Sequence, residues 1–167
     1  MLLLMVPIVA GCAAQPEMSR ATAPAPSGSA VVPAAERGAM GSGLADRPSP
    51  AEYVAVAELP DIRFDFDRYD IGPAAARTLE AGAAWLKAHP GSSVLIEGHA
   101  DERGTNEYNL VLGDRRAKAS MSYMVSHGVA ASRFTLISYG EERGICGEHT
   151  EGCWTKNRRA HFGVKGR

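Results

Sequence analysis

Asp101 and Arg116 are the two residues of this chain whose types and spacing best fit a binding chemistry. Asp101 follows the apolar run Val94-Leu95-Ile96 and the segment Glu97-Gly98-His99-Ala100, where the chain enters a polar loop containing Gly104. Fifteen residues later comes Arg115-Arg116-Ala117. On a helical wheel Arg116 falls within about 40° of Leu112, on the inward face, whereas Arg115 points away with Val111 and Lys118. A guanidinium on an inward stripe needs a partner, because an unpaired buried charge is costly, and Asp101 is the candidate neighbour. Two chemistries fit such a pair. It can be a structural ion pair, or it can receive a zwitterion, the carboxylate accepting from a ligand ammonium while the guanidinium fork holds a ligand carboxylate. The second is what an α-amino-acid centre requires.

Catalysis is a weaker reading. Glu97, His99 and Asp101 alternate along one strand and could face a common pocket. However, the five histidines (His89, His99, His127, His149, His161) are scattered, and no Ser or Cys sits in a nucleophile motif. Glycan hydrolysis would need two carboxylates flanking a sugar cleft, and the acidic residues show no such arrangement. His99 is read as a packed strand residue, and the chain as a non-enzyme without cofactor or metal.

The elements that must carry these residues are legible from periodicity. Ile62, Phe64 and Phe66 alternate with Arg63, Asp65 and Asp67, which predicts a strand with one buried face. Pro73 suits a first helical turn, and Ala75, Ala76, Leu79, Ala83 and Leu86 form one stripe of a helix over 73–88, stopped by His89-Pro90-Gly91. A second strand is expected over 93–97. A longer helix is expected over 107–127, with Leu112, Ala119 and Tyr123 on one face and Gly128 as its cap. Strands over 134–139 and 159–165 follow, and the segment 140–156 reads as a loop with at most a short helical turn. The fold class is α/β, a sandwich of helices packed on a small mixed four-stranded sheet.

Composition divides the chain. Of 167 residues 45% are hydrophobic, and 18 Lys+Arg against 19 Asp+Glu leave a formal net charge of -1, which provides no field for gripping nucleic acid. No aromatic residue precedes Tyr53, and most of the ten prolines lie in the first sixty residues among Ala, Ser and Gly. Such a stretch cannot offset its ordering entropy by burial. The boundaries are therefore drawn as a signal peptide over 1–11, a flexible tether over 12–57 and a folded domain over 58–167. Leu2 to Val9 form an apolar run too short to span a bilayer, and Ile8-Val9-Ala10-Gly11-Cys12 resembles a bacterial lipobox, although no Lys or Arg precedes it. The resemblance implies that Cys12 becomes the acylated first residue, and Ala13 after it resembles lipoproteins sent to the outer membrane. Several acyl chains at about 0.8 kcal/mol per buried methylene would make that attachment stable.

The run Gly98-His99-Ala100-Asp101-Glu102-Arg103-Gly104-Thr105, followed by Glu107-Tyr108-Asn109, Leu112-Gly113, Arg115-Arg116-Ala117, Ser138-Tyr139-Gly140-Glu141-Glu142 and Asn157-Arg158-Arg159-Ala160, resembles the OmpA-like C-terminal domain family in its peptidoglycan-associated lipoprotein branch. The resemblance covers about residues 62–164. It implies non-covalent binding of the peptidoglycan stem peptide through diaminopimelate, with Asp101 and Arg116 clamping its free amino-acid end. Asn109 and Asp70 would line the same pocket, and Arg158 or Arg159 would close it, one of the two being merely solvated. It also implies a lipid-anchored outer-membrane location facing the periplasm, and TolB, a periplasmic propeller protein of the Tol system, as a partner. The competing reading is a periplasmic protein–protein adaptor of the same fold in which Asp101 and Arg116 are only a structural ion pair.

Two departures from the family pattern stand out. Asn106 occupies a position where proline is common, and the segment 143–154 carries Cys146 and Cys153. In an oxidising compartment those cysteines most simply form a disulfide closing a small loop, worth about 2.5 kcal/mol by chain entropy. A zinc site from Cys146, His149 and Cys153 lacks a fourth ligand and the usual spacing. Because the loop would close on itself, ligand binding is expected to survive its reduction.

Overall fold

The computed structural model describes residues 49–166. The lipobox with Cys12, and the tether as far as residue 48, lie outside the described residues. Four strands and three helices follow in the order β1 (Ile62–Arg63), α1 (Pro73–Ala88), β2 (Ser93–His99), α2 (Asn106–Ser126), β3 (Phe134–Gly140), α3 (Glu151–Asn157) and β4 (Arg159–Lys165). The sheet order is β1-β4-β2-β3, with β2 parallel to β3 and antiparallel to β4, and β4 antiparallel to β1. No helix among the described residues is long and apolar enough to cross a membrane.

Alternation along β2 and β4 sends Val94 and Ile96, and Ala160, Phe162 and Val164, into one core with Leu79, Ala83 and Leu86 of α1 and Ala117 and Met124 of α2. The opposite face of these strands carries Glu97, His99, Arg159 and His161. The packed domain reaches back past residue 58. Val54 bridges Val164, and Lys165 pairs with Glu52.

Helix ends follow local chemistry. Pro73 opens α1 after Gly72, and the Thr105 hydroxyl caps α2 by accepting from the Tyr108 amide at 3.2 Å. Gly128, at φ 91°, ends the turn after α2 in the left-handed conformation that glycine tolerates. Gly98 on β2 and Gly113 on α2 face each other so closely that a methyl on Gly98 would overlap the Gly113 carbonyl. This close approach seats the first half of α2, with Asn109 and Arg116, against the C-terminal end of β2, where Asp101 emerges.

Three expectations are corrected. The first strand is only two residues long, and Phe66 is 54% exposed rather than buried. Asp67 at φ 56° bends the chain there, and the Phe66 ring lies under Arg103, 3.9 Å from its guanidinium carbon. The buried stripe of α2 is Asn109, Leu112, Gly113, Arg116, Ala117, Ser120 and Met124, with Ala119 and Tyr123 at its margin. The segment after β3 contains a true helix, α3, capped by Thr150.

Candidate functional site

Asp101 leaves the end of β2 with 3% of its surface exposed. One carboxylate oxygen accepts from the Arg103 amide at 3.1 Å. The other accepts from Arg103 Nη2 at 2.7 Å and Arg158 Nη1 at 3.0 Å. Burial alone would raise the pKa of Asp101, but the charged bonds from Arg103 and Arg158 outweigh it, and the carboxyl sits below its ordinary range.

Arg116 is completely buried on the inward stripe of α2, as its wheel position predicts. Its partners differ from the expected one. Nε donates to the Arg68 carbonyl at 2.8 Å, Nη1 to the His99 carbonyl at 2.8 Å and Nη2 to the Asp65 carbonyl at 3.1 Å. The expected Asp101–Arg116 ion pair is not formed. The turn after β1 wraps around the guanidinium with backbone oxygens, while Asp101 is taken by Arg103 and Arg158. A structural ion pair between Asp101 and Arg116, on which the adaptor reading rested, is therefore not what holds these residues. Burial pushes the pKa of Arg116 down to about 10, opposed chiefly by the charge of Asp101 at longer range. It remains a cation at neutral pH.

Asp101 and Arg116 nevertheless line one concavity of about 210 Å³, together with Asn109 and Arg158. Asn109 is buried and does not cap α2. Its Nδ2 donates to the Arg103 carbonyl at 3.3 Å and to Glu141 at 2.6 Å, tying the Asp101 loop to the loop after β3. At the mouth, Phe66, Asp67 and Tyr108 form a rim, with the Tyr108 hydroxyl donating to Asp67.

The other expected site residues fall elsewhere. Asp70 is exposed, pairs with Arg68 at 2.8 Å and lines two other hollows beside the turn rather than this concavity. Neither late arginine is merely solvated, since both are 5% exposed. Successive residues at a strand start point to opposite faces, and the two separate accordingly. Arg158 turns into the concavity, whereas Arg159 lies on the outer sheet face with Nε 3.3 Å from Asp61 and Nη2 3.3 Å from His99. Glu97, His99 and Asp101 do not share a pocket, because Glu97 and His99 belong to that outer face. His99 is buried there against Tyr139, with ring centroids 5.6 Å apart.

Arg103 is the residue that the sequence reading passed over. Its guanidinium packs against both Phe66 and Trp154, 3.9 and 4.3 Å from the two ring centroids, and Glu151 faces its Nη1 at 3.5 Å. The signal was present in the spacing, since an Asp two residues before an Arg can take that residue's own amide in an Asx turn. Cys146 and Cys153 are joined by a disulfide, with Cα atoms 5.3 Å apart. The bridged segment does not close on itself alone. Asn157 accepts from the Ile145 and Cys146 amides, and Trp154 Nε1 donates to Glu102 at 2.7 Å.

The profile of the OmpA family matches residues 63–158. A peptidoglycan-associated lipoprotein of Mesorhizobium japonicum is 46% identical over 127 residues, covering 76% of this chain and 75% of that protein. One of Pseudomonas putida is 43% identical over 135 residues, covering 81% and 80%. The crystal structure of the peptidoglycan-associated lipoprotein from Burkholderia pseudomallei superposes with a TM-score of 0.62 at 38% identity, over 64% of this chain and 90% of that one. The helix-on-sheet fold, the motif run from Gly98 to Ala160 and these likenesses agree: the chain belongs to the OmpA family, in its peptidoglycan-associated lipoprotein branch.

Proposed function

We propose that this chain is an outer-membrane lipoprotein, anchored through acylated Cys12, whose concavity binds the diaminopimelate residue of the peptidoglycan stem peptide without covalent chemistry. It thereby tethers the outer membrane to the cell wall, in a Tol-Pal-type system with TolB as periplasmic partner.

The observation that carries the reading is the state of Arg116. A guanidinium has five N–H donors, and here each of its three nitrogens donates once, to a neutral carbonyl, with no carboxylate among the described residues within ion-pair distance. A buried cation without an anionic partner is costly, and a ligand carboxylate entering the concavity would relieve that cost. Asp101 accepts three hydrogen bonds, and a carboxylate has about four acceptor sites, so a ligand ammonium can still be taken. The pair thus offers one acceptor and one donor to the two charged groups of an α-amino-acid end. Asn109 and Arg158 line the approach, and Arg158, rather than Arg159, is assigned to the ligand.

Envelope fractionation of three forms tests this. Wild type should enter the detergent phase and co-sediment with purified sacculi. Cys12→Ser should lose the membrane fraction alone. The Asp101→Asn/Arg116→Lys double variant should lose the sacculi alone. Retention of the folded double variant on sacculi would defeat the site assignment, and equal membrane association of wild type and Cys12→Ser would defeat the anchor.

A further inference from the structure

We propose that α3, stapled to the preceding loop by the Cys146–Cys153 disulfide, is a positioning element of the concavity, its Glu151 and Trp154 setting Arg103 and Arg158 against Asp101. This rests on the reading of the concavity as the ligand site, and it revises the expectation that the bridged loop is independent of binding.

The contacts form a closed circuit. Arg158 spans two carboxylates, Nη1 to Asp101 at 3.0 Å and Nη2 to Glu151 at 2.6 Å. Arg103 spans the same two, Nη2 to Asp101 at 2.7 Å and Nη1 to Glu151 at 3.5 Å. Two cations and two anions therefore alternate around a ring, Asp101 and Arg103 supplied by the β2–α2 loop, Arg158 by the junction before β4 and Glu151 by α3. Glu151 is 61% exposed and would hold neither arginine firmly by charge alone.

The aromatic contacts supply what the exposed carboxylate lacks. Trp154 and Phe66 both pack their rings against the Arg103 guanidinium, and a planar cation held by two rings has few orientations left. Trp154 is itself aimed by its bond to Glu102, whose carboxylate also meets His149 at 2.6 Å. Thr155 adds a bond to Arg158 at 2.8 Å. Every residue of α3 that does this lies within two positions of Cys153, which is buried and bridged to Cys146. A seven-residue helix is too short to hold its own conformation in water. The bridge, the Thr150 cap and the Asn157 bonds to the loop hold it instead. Loosening α3 should let Arg103 and Arg158 wander from Asp101, and the acceptor that faces the ligand would lose its fixed geometry.

The experiment uses two changes that leave the charges in place, Trp154→Ala and the Cys146→Ser/Cys153→Ser pair, with Trp154→Phe as the conservative control that keeps a stacking ring. The first readout needs no ligand. The Asp101 carboxyl carbon is titrated by NMR in the free protein, where Arg103, Arg158, Arg116, Glu102 and Glu151 are the charged groups around it. The second is the affinity for a soluble disaccharide tripeptide containing diaminopimelate, measured alongside thermal melting. In Trp154→Ala and the serine pair the Asp101 midpoint should move up toward the ordinary carboxylate range and affinity should fall about five- to tenfold, while Trp154→Phe recovers most of both. An Asp101 midpoint and an affinity equal to wild type, with only the melting temperature lowered, would show that α3 merely stabilises the fold and would overturn the proposal. If the midpoint moves but wild type itself does not bind the muropeptide, the positioning role stands and the ligand reading fails. Should the serine pair not fold, Trp154→Ala against Trp154→Phe decides alone.

Discussion

Arg133 and Arg116 make the same set of bonds at opposite ends of the strands. Arg133 donates to the carbonyls of Ser92, Leu86 and His89, all within 2.7–2.8 Å, just before β2 begins. Arg116 donates to those of Arg68, His99 and Asp65, where β2 ends. The surroundings differ. Leu86 and His89 lie at the C-terminal end of α1, where carbonyls lack helical partners and the helix dipole favours a cation, and Arg133 keeps part of its surface in water. Arg116 has neither compensation, being wholly buried among turn and strand carbonyls. Identical bonding thus describes a helix cap at one end and, at the other, a buried charge with no ion-pair partner among the described residues. The environment of the charge, not its hydrogen bonds, is what singles out Arg116 as the proposed binding residue.

The sharpest way to break that comparison is to make the same substitution twice. Lysine cannot serve three divergent carbonyls or offer a planar fork. Arg133→Lys should lower the melting temperature and leave muropeptide affinity at the wild-type value. Arg116→Lys should reduce affinity in the folded fraction about ten- to a hundredfold, one charged hydrogen bond being worth about 1.5–3 kcal/mol. Calorimetric titration and melting curves on the same samples separate the two effects, and an equal loss of affinity in both variants would erase the distinction.

Asp101 sharpens it from the acceptor side. Asp101→Asn should weaken binding about tenfold, and combined with Arg116→Lys it should cost clearly less than the two losses added, because both act through one ligand. Stability should carry a matching acid signature. The folded-state pKa of Asp101 lies below its unfolded value, so its contribution is complete above about pH 4 and is lost as pH falls through the folded value. Denaturant melts across that window should show the step in wild type and not in Asp101→Asn.

How much was legible in advance follows the same division between apolar and charged regions. The bounds of α1 and β4 are those expected from period and punctuation, because Pro73, His89-Pro90-Gly91 and the alternating residues 159–165 state them locally. The inward placement of Arg116 was legible too, since wheel geometry depends only on spacing. Its partners were not, because backbone carbonyls leave no trace in residue types. Phe66 misled for a related reason, as period two cannot distinguish a core ring from one reserved for stacking on Arg103. Helix α3 was hidden because seven residues including Gly152 carry almost no periodic signal. Arg158 and Arg159 could not be separated until the face of β4 was known.

The smallest expected effects come from the outer sheet face, where two histidines should give opposite slopes. His161 bonds to Asp61 at 2.7 Å, which raises its pKa, so its contribution is complete below about pH 6.5 and is lost as pH rises through the folded value. His99 is held down by burial, so stability falls as pH drops below about 6.5 toward its folded value. His161→Gln should remove the alkaline-side step, about 0.5–1 kcal/mol for a partly exposed pair, without changing muropeptide affinity. A change in affinity there would mean that the two faces of the sheet are coupled.

The central claim is that the buried Arg116 guanidinium, which has no ion-pair partner among the described residues, awaits a ligand carboxylate. The most direct measurement titrates the full-length protein in detergent with two soluble muropeptides that differ only in the third stem residue, diaminopimelate or lysine. Lysine lacks the second carboxylate. The diaminopimelate form should bind at least about tenfold more tightly, and Arg116→Lys should abolish most of that preference. Equal affinity of the wild-type protein for the two muropeptides would contradict the claim.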